Sequence, residues 1–219
     1  PERARENGRR DLDTVDLRQF GLGKHRDVDE TPAGGGAGMV LRPDVAAAAI
    51  DCVDRNDRPL MYLSPRGKPF DQARAREMAA GPGVVLLAGR FEGLDERVIE
   101  ARDMEEISIG DFVLAGGEVA AQAMIAACVR LLPGVAGNEG SIADESFESG
   151  LLEYPHYTQP RTWEGHPTPE VLLSGDHGKI DAWRLRRSQL LTKERRPDLW
   201  AAYSKHPDFR ASETDDERD

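Results

Sequence analysis

Val84–Gly93 reads VVLLAGRFEG, an unbroken apolar run that empties into a loop opened and closed by glycine. A run this short, bounded by Gly81-Pro82-Gly83 and Gly89, is the signature of a strand buried on both faces, as in parallel sheets covered by helices. The same rhythm continues on each side. Pro59–Leu63 (PLMYL) reads as a strand that closes on the turn Ser64-Pro65-Arg66-Gly67. Asp71 is placed to cap a helix over Gln72–Ala80, which Gly81-Pro82-Gly83 ends. Leu94–Ala101 reads as the next helix, and Glu106–Leu114 (EISIGDFVL) as a third strand-like run, broken at Gly110 and ending at Gly116-Gly117. Strand and helix in alternation predict an α/β domain with a parallel sheet and right-handed crossovers.

Ligands of open α/β sheets bind beyond the carboxyl ends of the strands, where the loops gather. All three such loops here carry glycine: Ser64–Gly67, Gly89–Gly93, and Gly110 with Gly116-Gly117. Glycine lets backbone approach a ligand closely or turn through positive φ, so three in succession predict a cofactor pocket. No GxGxxG lies between strand and helix, and no GxxxxGK[ST] or GxSxG occurs. Nicotinamide sites, P-loop nucleotide sites and the serine-hydrolase elbow are therefore disfavoured. Gly34–Gly38 follows no clear strand and reads as a flexible loop. His25, His156, His166, His177 and His206 are scattered without cysteine partners, so no zinc site is expected.

Composition narrows the class further. The 219 residues are 39% hydrophobic and 32% charged, with a net charge of -11. No window approaches the ~18–20 apolar residues that cross a bilayer. The opening PERARENGRR has no apolar region after its basic residues, so it does not read as a signal peptide, and a cytoplasmic location is expected. Cys52 and Cys128 lie in apolar helical contexts without CxxC spacing and read as reduced, structural thiols. Overall acidity argues against non-specific nucleic-acid binding, but the charge is unevenly spread. Glu213–Asp219 is an acidic tail, whereas Arg184–Arg196 (RLRRSQLLTKERR) carries a local excess of positive charge. A basic patch on an acidic chain fits a structured polyanion docked at one place; a solvated helix face is the alternative.

Between these regions, Glu118–Arg130 (EVAAQAMIAACVR) has no charge between its ends and is expected to be a helix buried nearly all round. Asn138–Pro160 (NEGSIADESFESGLLEYPHYTQP) reads as neither helix nor strand. Segments of that length without secondary structure are uncommon in compact domains, and are functional or disordered when they occur. Helices are then expected over Gly178–Leu191 and Pro197–Tyr203.

The ordered blocks along the chain resemble those of the bacterial tRNA (guanine-N1)-methyltransferases, the TrmD-type members of the knotted SPOUT superfamily. They are His25-Arg26 with GGGAGM (Gly34–Met39), YLSPRG (Tyr62–Gly67), GRFEGLDERV (Gly89–Val98) and SIGDFVLAGGE (Ser108–Glu118). RLLPGV (Arg130–Val135), ESFESGLLE (Glu145–Glu153), LLSGDH (Leu172–His177), Trp183-Arg184 and RRPDL (Arg195–Leu199) follow in the same order. The resemblance implies S-adenosylmethionine-dependent methylation of N1 of the guanosine just 3′ of the anticodon, position 37. It implies a SPOUT-type α/β fold whose parallel sheet carries a deep C-terminal trefoil knot, followed by a small α-helical C-terminal domain. On that pattern residues 1–137 form the methyltransferase domain, 138–160 an interdomain active-site linker, and 161–219 a helical tRNA-binding domain with the acidic tail. Homodimers with active sites built by both subunits are implied too. Magnesium is a further cofactor to expect from the family, although no cluster of ligands is visible in the sequence.

Carried over residue by residue, the methyl donor would lie against Ser64 and Pro65, and against Gly89, Arg90, Phe91, Glu92 and Gly93. Ile109, Gly110, Asp111, Phe112, Val113 and Leu114, with Gly116 and Gly117, would complete its site. Guanine N1 carries a proton and is a poor nucleophile until a general base removes it. Negative charge then grows on O6, where a fixed guanidinium stabilises it. Arg130 matches the family's catalytic arginine; a helix C-cap is its structural role. The family's base is an Asp directly before Ser-Phe, a position held here by Glu145 with Asp144 one place earlier. Register favours Glu145 and side-chain type favours Asp144. Arg184, Arg186, Arg187, Arg195 and Arg196 would dock the tRNA.

The chain departs from the family elsewhere as well. Gln159 stands where YTRP is common, Ala33 replaces an aromatic before the glycine loop, and the family's apolar opening strand is missing before Pro1. Loss of such a strand is expected to expose a sheet edge and a face. A catalytically silent RNA-binding protein on the same fold is the competing expectation.

Overall fold

The computed structural model describes residues 11–135, 145–206 and 209. The chain divides into two compact units, Pro1–Gly137 and Asn138–Asp219.

In the first unit a short antiparallel pair, β1 (Asp29–Glu30) and β2 (Val40–Leu41), leads into helix α1 (Pro43–Asp51). The sheet follows: β3 (Leu60–Pro69), α2 (Gln72–Ala80), β4 (Val85–Ala88), α3 (Glu96–Ala101), β5 (Glu105–Ser108) and α4 (Glu118–Val129). The strand order is β4-β3-β5, and both pairings are parallel. Asp71 caps α2 as the sequence predicts, its Oδ1 accepting from the Arg74 N–H at 2.8 Å.

Alternation along β3 divides the core between the two faces of the sheet. Leu60 and Tyr62 join Ala46 and Ile50 of α1, Val98 and Ile99 of α3, and Leu87. Met61 and Leu63 join Met78 of α2, Ile107, and Ala120 and Met124 of α4. Met61 and Met124 are wholly buried; side chains of this size contribute about 1.5–3 kcal/mol each when taken out of water.

Four local expectations change in this unit. The Ser64–Gly67 segment is not a turn that ends the strand. Leu63 and Lys68 both face Ile107, so those four residues loop out and β3 resumes beyond them. The strand-like run Glu106–Leu114 is a strand only to Ser108; Gly110 sits at φ 152, where pairing cannot continue, and the rest is loop. Helix α4 is buried on one side only, through Ala120, Met124 and Val129, while Val119 is 58% exposed. Freedom from charge therefore does not mean enclosure within one chain. Cys52, read as a structural thiol within an apolar helix, is exposed just past the end of α1.

β4 has no strand partner on its outer side among the described residues. A cavity of about 1320 Å³ lies there, walled by Ile50, Val85, Leu87, Met124 and Cys128 and bordered by Asp11–Arg18.

The second unit carries a two-residue hairpin, β6 (Thr162–Trp163) and β7 (His166–Pro167), absent from the sequence expectation. Glu164 and Gly165 both adopt positive φ, the geometry of a tight hairpin turn. Helices α5 (Glu170–Leu173), α6 (His177–Arg195) and α7 (Pro197–Tyr203) follow. α6 outlasts its predicted end because Leu191–Arg195 continue the helix until Pro197 begins the next. Among the described residues no helix is long and apolar enough to cross a membrane.

Candidate functional site

The chain leaves β3 for β4 on one side and then crosses to β5 on the other. Strand order thus reverses at β3, the place where open α/β sheets present a crevice at their carboxyl edge. Leu63 pairs with Ala88 and Ile107, so Ser64–Gly67 leaves β3 at the same edge where the Gly89–Gly93 and Gly116-Gly117 loops meet. The Gly117 N–H donates to the Gly89 carbonyl at 2.8 Å, and Arg90 bridges to Gly116 as an isolated β pair. A Cβ added to Gly117 would stand 2.9 Å from Ala88 Cα and 3.0 Å from Gly89 N. Only glycine allows these two segments to lie so close.

Beneath them lies Tyr62, 4% exposed. A Cβ on Gly89 would reach within 2.8 Å of the Tyr62 ring and 2.9 Å of its hydroxyl. Burial raises the Tyr62 pKa, opposed by the hydrogen bond from the Leu94 N–H, so the phenol stays neutral and fixed at neutral pH. Sequence reading missed this role, although a lone tyrosine in an otherwise apolar strand was the available signal.

Ion pairs brace the loops from outside. Arg66 Nη2 lies 3.0 Å from Glu96 Oε2 and 3.0 Å from Glu106 Oε1, tying the Ser64–Gly67 loop to α3 and β5. Arg90 Nε lies 2.7 Å from Glu118 Oε1, tying the Gly89 loop to the start of α4. That hydrogen bond holds the Glu118 carboxyl below its ordinary pKa. The contribution of the pair is thus present above the ordinary carboxylate pKa and is lost as pH falls through the lowered one. These exposed pairs set orientation more than stability.

Ser64 is buried, with its Oγ accepting from the Arg66 N–H at 3.2 Å. Ile109 packs against the core that includes Met61 and Ile107, whereas Phe112 and Val113 are 53% and 83% exposed. Phe91 is 55% exposed at φ 63. The loops thus carry exposed apolar side chains beside closely approaching backbone. The cavity beside β4 reaches this cluster through Arg90, Phe91 and Glu118.

Arg130 is exposed at the C-cap of α4. It stands about 20 Å along the helix axis from Gly117 at 1.5 Å per residue. The first unit therefore does not bring this predicted catalytic arginine onto its own loop cluster. Glu145, half-buried, opens a tight loop in the second unit. The Glu148 N–H donates to its carbonyl at 3.2 Å, the Phe147 N–H to the Leu151 carbonyl at 2.8 Å, and the Glu153 N–H to Ser146 Oγ at 3.0 Å. Asp144 lies outside the described residues. Among the described residues no cluster of acidic, histidine or cysteine side chains is arranged to hold a metal.

The five predicted RNA-binding arginines lie on or just after α6. Arg184 and Arg187 are laid on aromatic rings. Arg195 is exposed, and Arg186 is half-buried. Arg196 is bidentate to Asp198, at 2.9 and 2.6 Å, and lies over the Phe147 ring. It lowers the Asp198 pKa to about 2.

Fold and loop cluster together define a parallel-sheet α/β protein whose glycine-marked loops gather at its topological switch point. The family model described as tRNA (Guanine-1)-methyltransferase TrmD matches residues 1–202, and the chain belongs to that family. It is 63% identical over 201 residues to a tRNA (guanine-N(1)-)-methyltransferase of Rhodopseudomonas palustris, covering 91% of this chain and 81% of that protein. It is 57% identical over 204 residues to the protein of the same name in Brucella ovis, covering 93% and 84%.

Proposed function

We propose that this protein is a tRNA (guanine-N1)-methyltransferase that methylates guanosine 37, using S-adenosylmethionine held on the three glycine-marked loops. The observation that carries the reading is the loop cluster itself: family blocks that are far apart in sequence converge at the switch point of the sheet. The donor supplies an electrophilic methyl group. Ser64, the Gly89–Gly93 backbone and Ile109–Leu114 bind and orient it. Glu145 takes the proton from N1 and Arg130 stabilises the charge that develops on O6. A SPOUT-type trefoil knot accounts for the return of Gly116-Gly117 against the end of β4. The reaction belongs in the cytoplasm with its tRNA.

The active unit is a homodimer with shared sites. The exposed apolar side of α4 asks for cover, and Arg130 stands a helix length from the loops of its own chain. This is testable by mixing two inactive variants, Gly117→Val in the donor loops and Glu145→Gln in the linker. If each site draws its loops from one subunit and its base from the other, mixed dimers hold one intact site of two. Random reassortment then restores about a quarter of wild-type activity. Mixed dimers that form and stay inactive would contradict shared sites.

A further inference from the structure

In the second unit, Glu153–Tyr157 runs antiparallel along α6. The Leu152 N–H reaches Thr192 Oγ1 at 2.8 Å, while Tyr154 and Tyr157 lie against Arg184 and Trp183. Two sets of planar groups result. The Tyr154 ring meets His156, centroids 5.0 Å apart, and the Arg184 guanidinium at 5.0 Å. The Trp183 ring meets Tyr157 edge-on at 6.1 Å and the Arg187 guanidinium at 6.0 Å. Arg184 and Arg187 are three residues apart on α6 and share a face.

Both guanidiniums are held at a cost. Among the described residues, Nε of Arg184 and Nε of Arg187 are buried without a hydrogen-bond partner, while Arg184 Nη1 lies 3.5 Å from Asp181 Oδ1. Leucine or methionine would cover the rings without stranding an N–H, so packing alone does not account for arginine at both positions. Tyr157, meanwhile, remains 46% exposed. Fixed cations beside one open aromatic ring match a ligand that alternates phosphate with a flat base. Unpaired RNA is recognised in this way, by stacking on aromatic and guanidinium planes. An acidic protein surface would satisfy the charge but leave the exposed ring without a planar partner.

We propose that Tyr157, backed by Trp183, stacks one unpaired base of the RNA substrate, and that Arg184 and Arg187 take the phosphates flanking it. These are positioning residues, and the proposal rests on the reading that the substrate is tRNA. The test is steady-state methyl transfer by the full-length protein to a tRNA transcript. Tyr157→Ala raises KM for tRNA about 10-fold or more, since base–aromatic stacking is sequence-tolerant but strong. Tyr157→Phe keeps the wild-type KM, and Tyr157→Leu, similar in bulk but without a π face, fails like Ala. KM for the methyl donor and kcat stay unchanged. The salt dependence of tRNA binding keeps its slope in Tyr157→Ala but loses about 1 in Arg187→Gln. A wild-type KM in Tyr157→Ala, or rescue by Leu, overturns the proposal. So does a Tyr157→Ala variant whose sedimentation changes while its tRNA KM does not, which would mark a protein interface. A wild-type protein that methylates no tRNA removes the underlying reading, a result distinct from an active enzyme indifferent to Tyr157.

Discussion

Replacing Glu145 by Gln lowers methyl transfer about 10²–10⁴-fold, the usual contribution of a general base. In the proposed role the carboxylate would act on the N1 proton rather than on either ligand's affinity, so substrate and donor binding are expected to survive. Asp144→Asn has a much smaller effect, because Glu145 is the residue that stands directly before Ser146-Phe147. The tight loop that begins at Glu145 supports this assignment: Ser146 Oγ and the Phe147 N–H are both engaged within it, so its first residue has a set position. The lost rate in Glu145→Gln recovers in part at high pH, where N1 ionises unaided. Rates measured from pH 6 to 10 check this. A crippled Asp144→Asn with an active Glu145→Gln would transfer the role to the neighbour.

Gly117→Val abolishes measurable binding of S-adenosylmethionine by calorimetry while the protein remains folded. Its Cβ would press on Ala88 Cα and Gly89 N, which are backbone atoms and cannot swing aside. The loop must then leave β4, and the donor site opens. Gly89→Ala does less, weakening binding about 10-fold, because its clash is with the Tyr62 side chain, whose rearrangement at the site costs on the order of 1–3 kcal/mol. Gly35→Ala serves as a control: nothing lies within 4 Å of its Cβ, so only the strain of its φ of 81 applies. Unchanged donor affinity in Gly117→Val would separate the donor site from these loops.

The α/β character and the parallel sheet were legible because VVLLA and PLMYL are short apolar runs between helix signals, and no other arrangement buries both faces. Glycine marks the loops for the same local reason. Contacts made across the sheet were not legible. Nothing in PLMYL says that Tyr62 will lie under Gly89, since that depends on which strand sits beside which. The looping-out at Ser64–Gly67 escaped because a Ser-Pro-Arg-Gly sequence looks the same whether the strand stops or resumes. The single buried side of α4 escaped because alanine and valine are accepted both in a core and beside a partner. In the second unit the basic run was visible, but the laying of Arg184 on Tyr154 joins segments some thirty residues apart.

The most direct test is methyl transfer from labelled S-adenosylmethionine to a tRNA transcript with guanosine at position 37, compared with a transcript changed to adenosine there alone. One methyl group per tRNA, located at N1 of that guanosine and absent from the altered transcript, is the predicted result. Equal labelling of both transcripts, or none of either by a protein that binds tRNA, would contradict it.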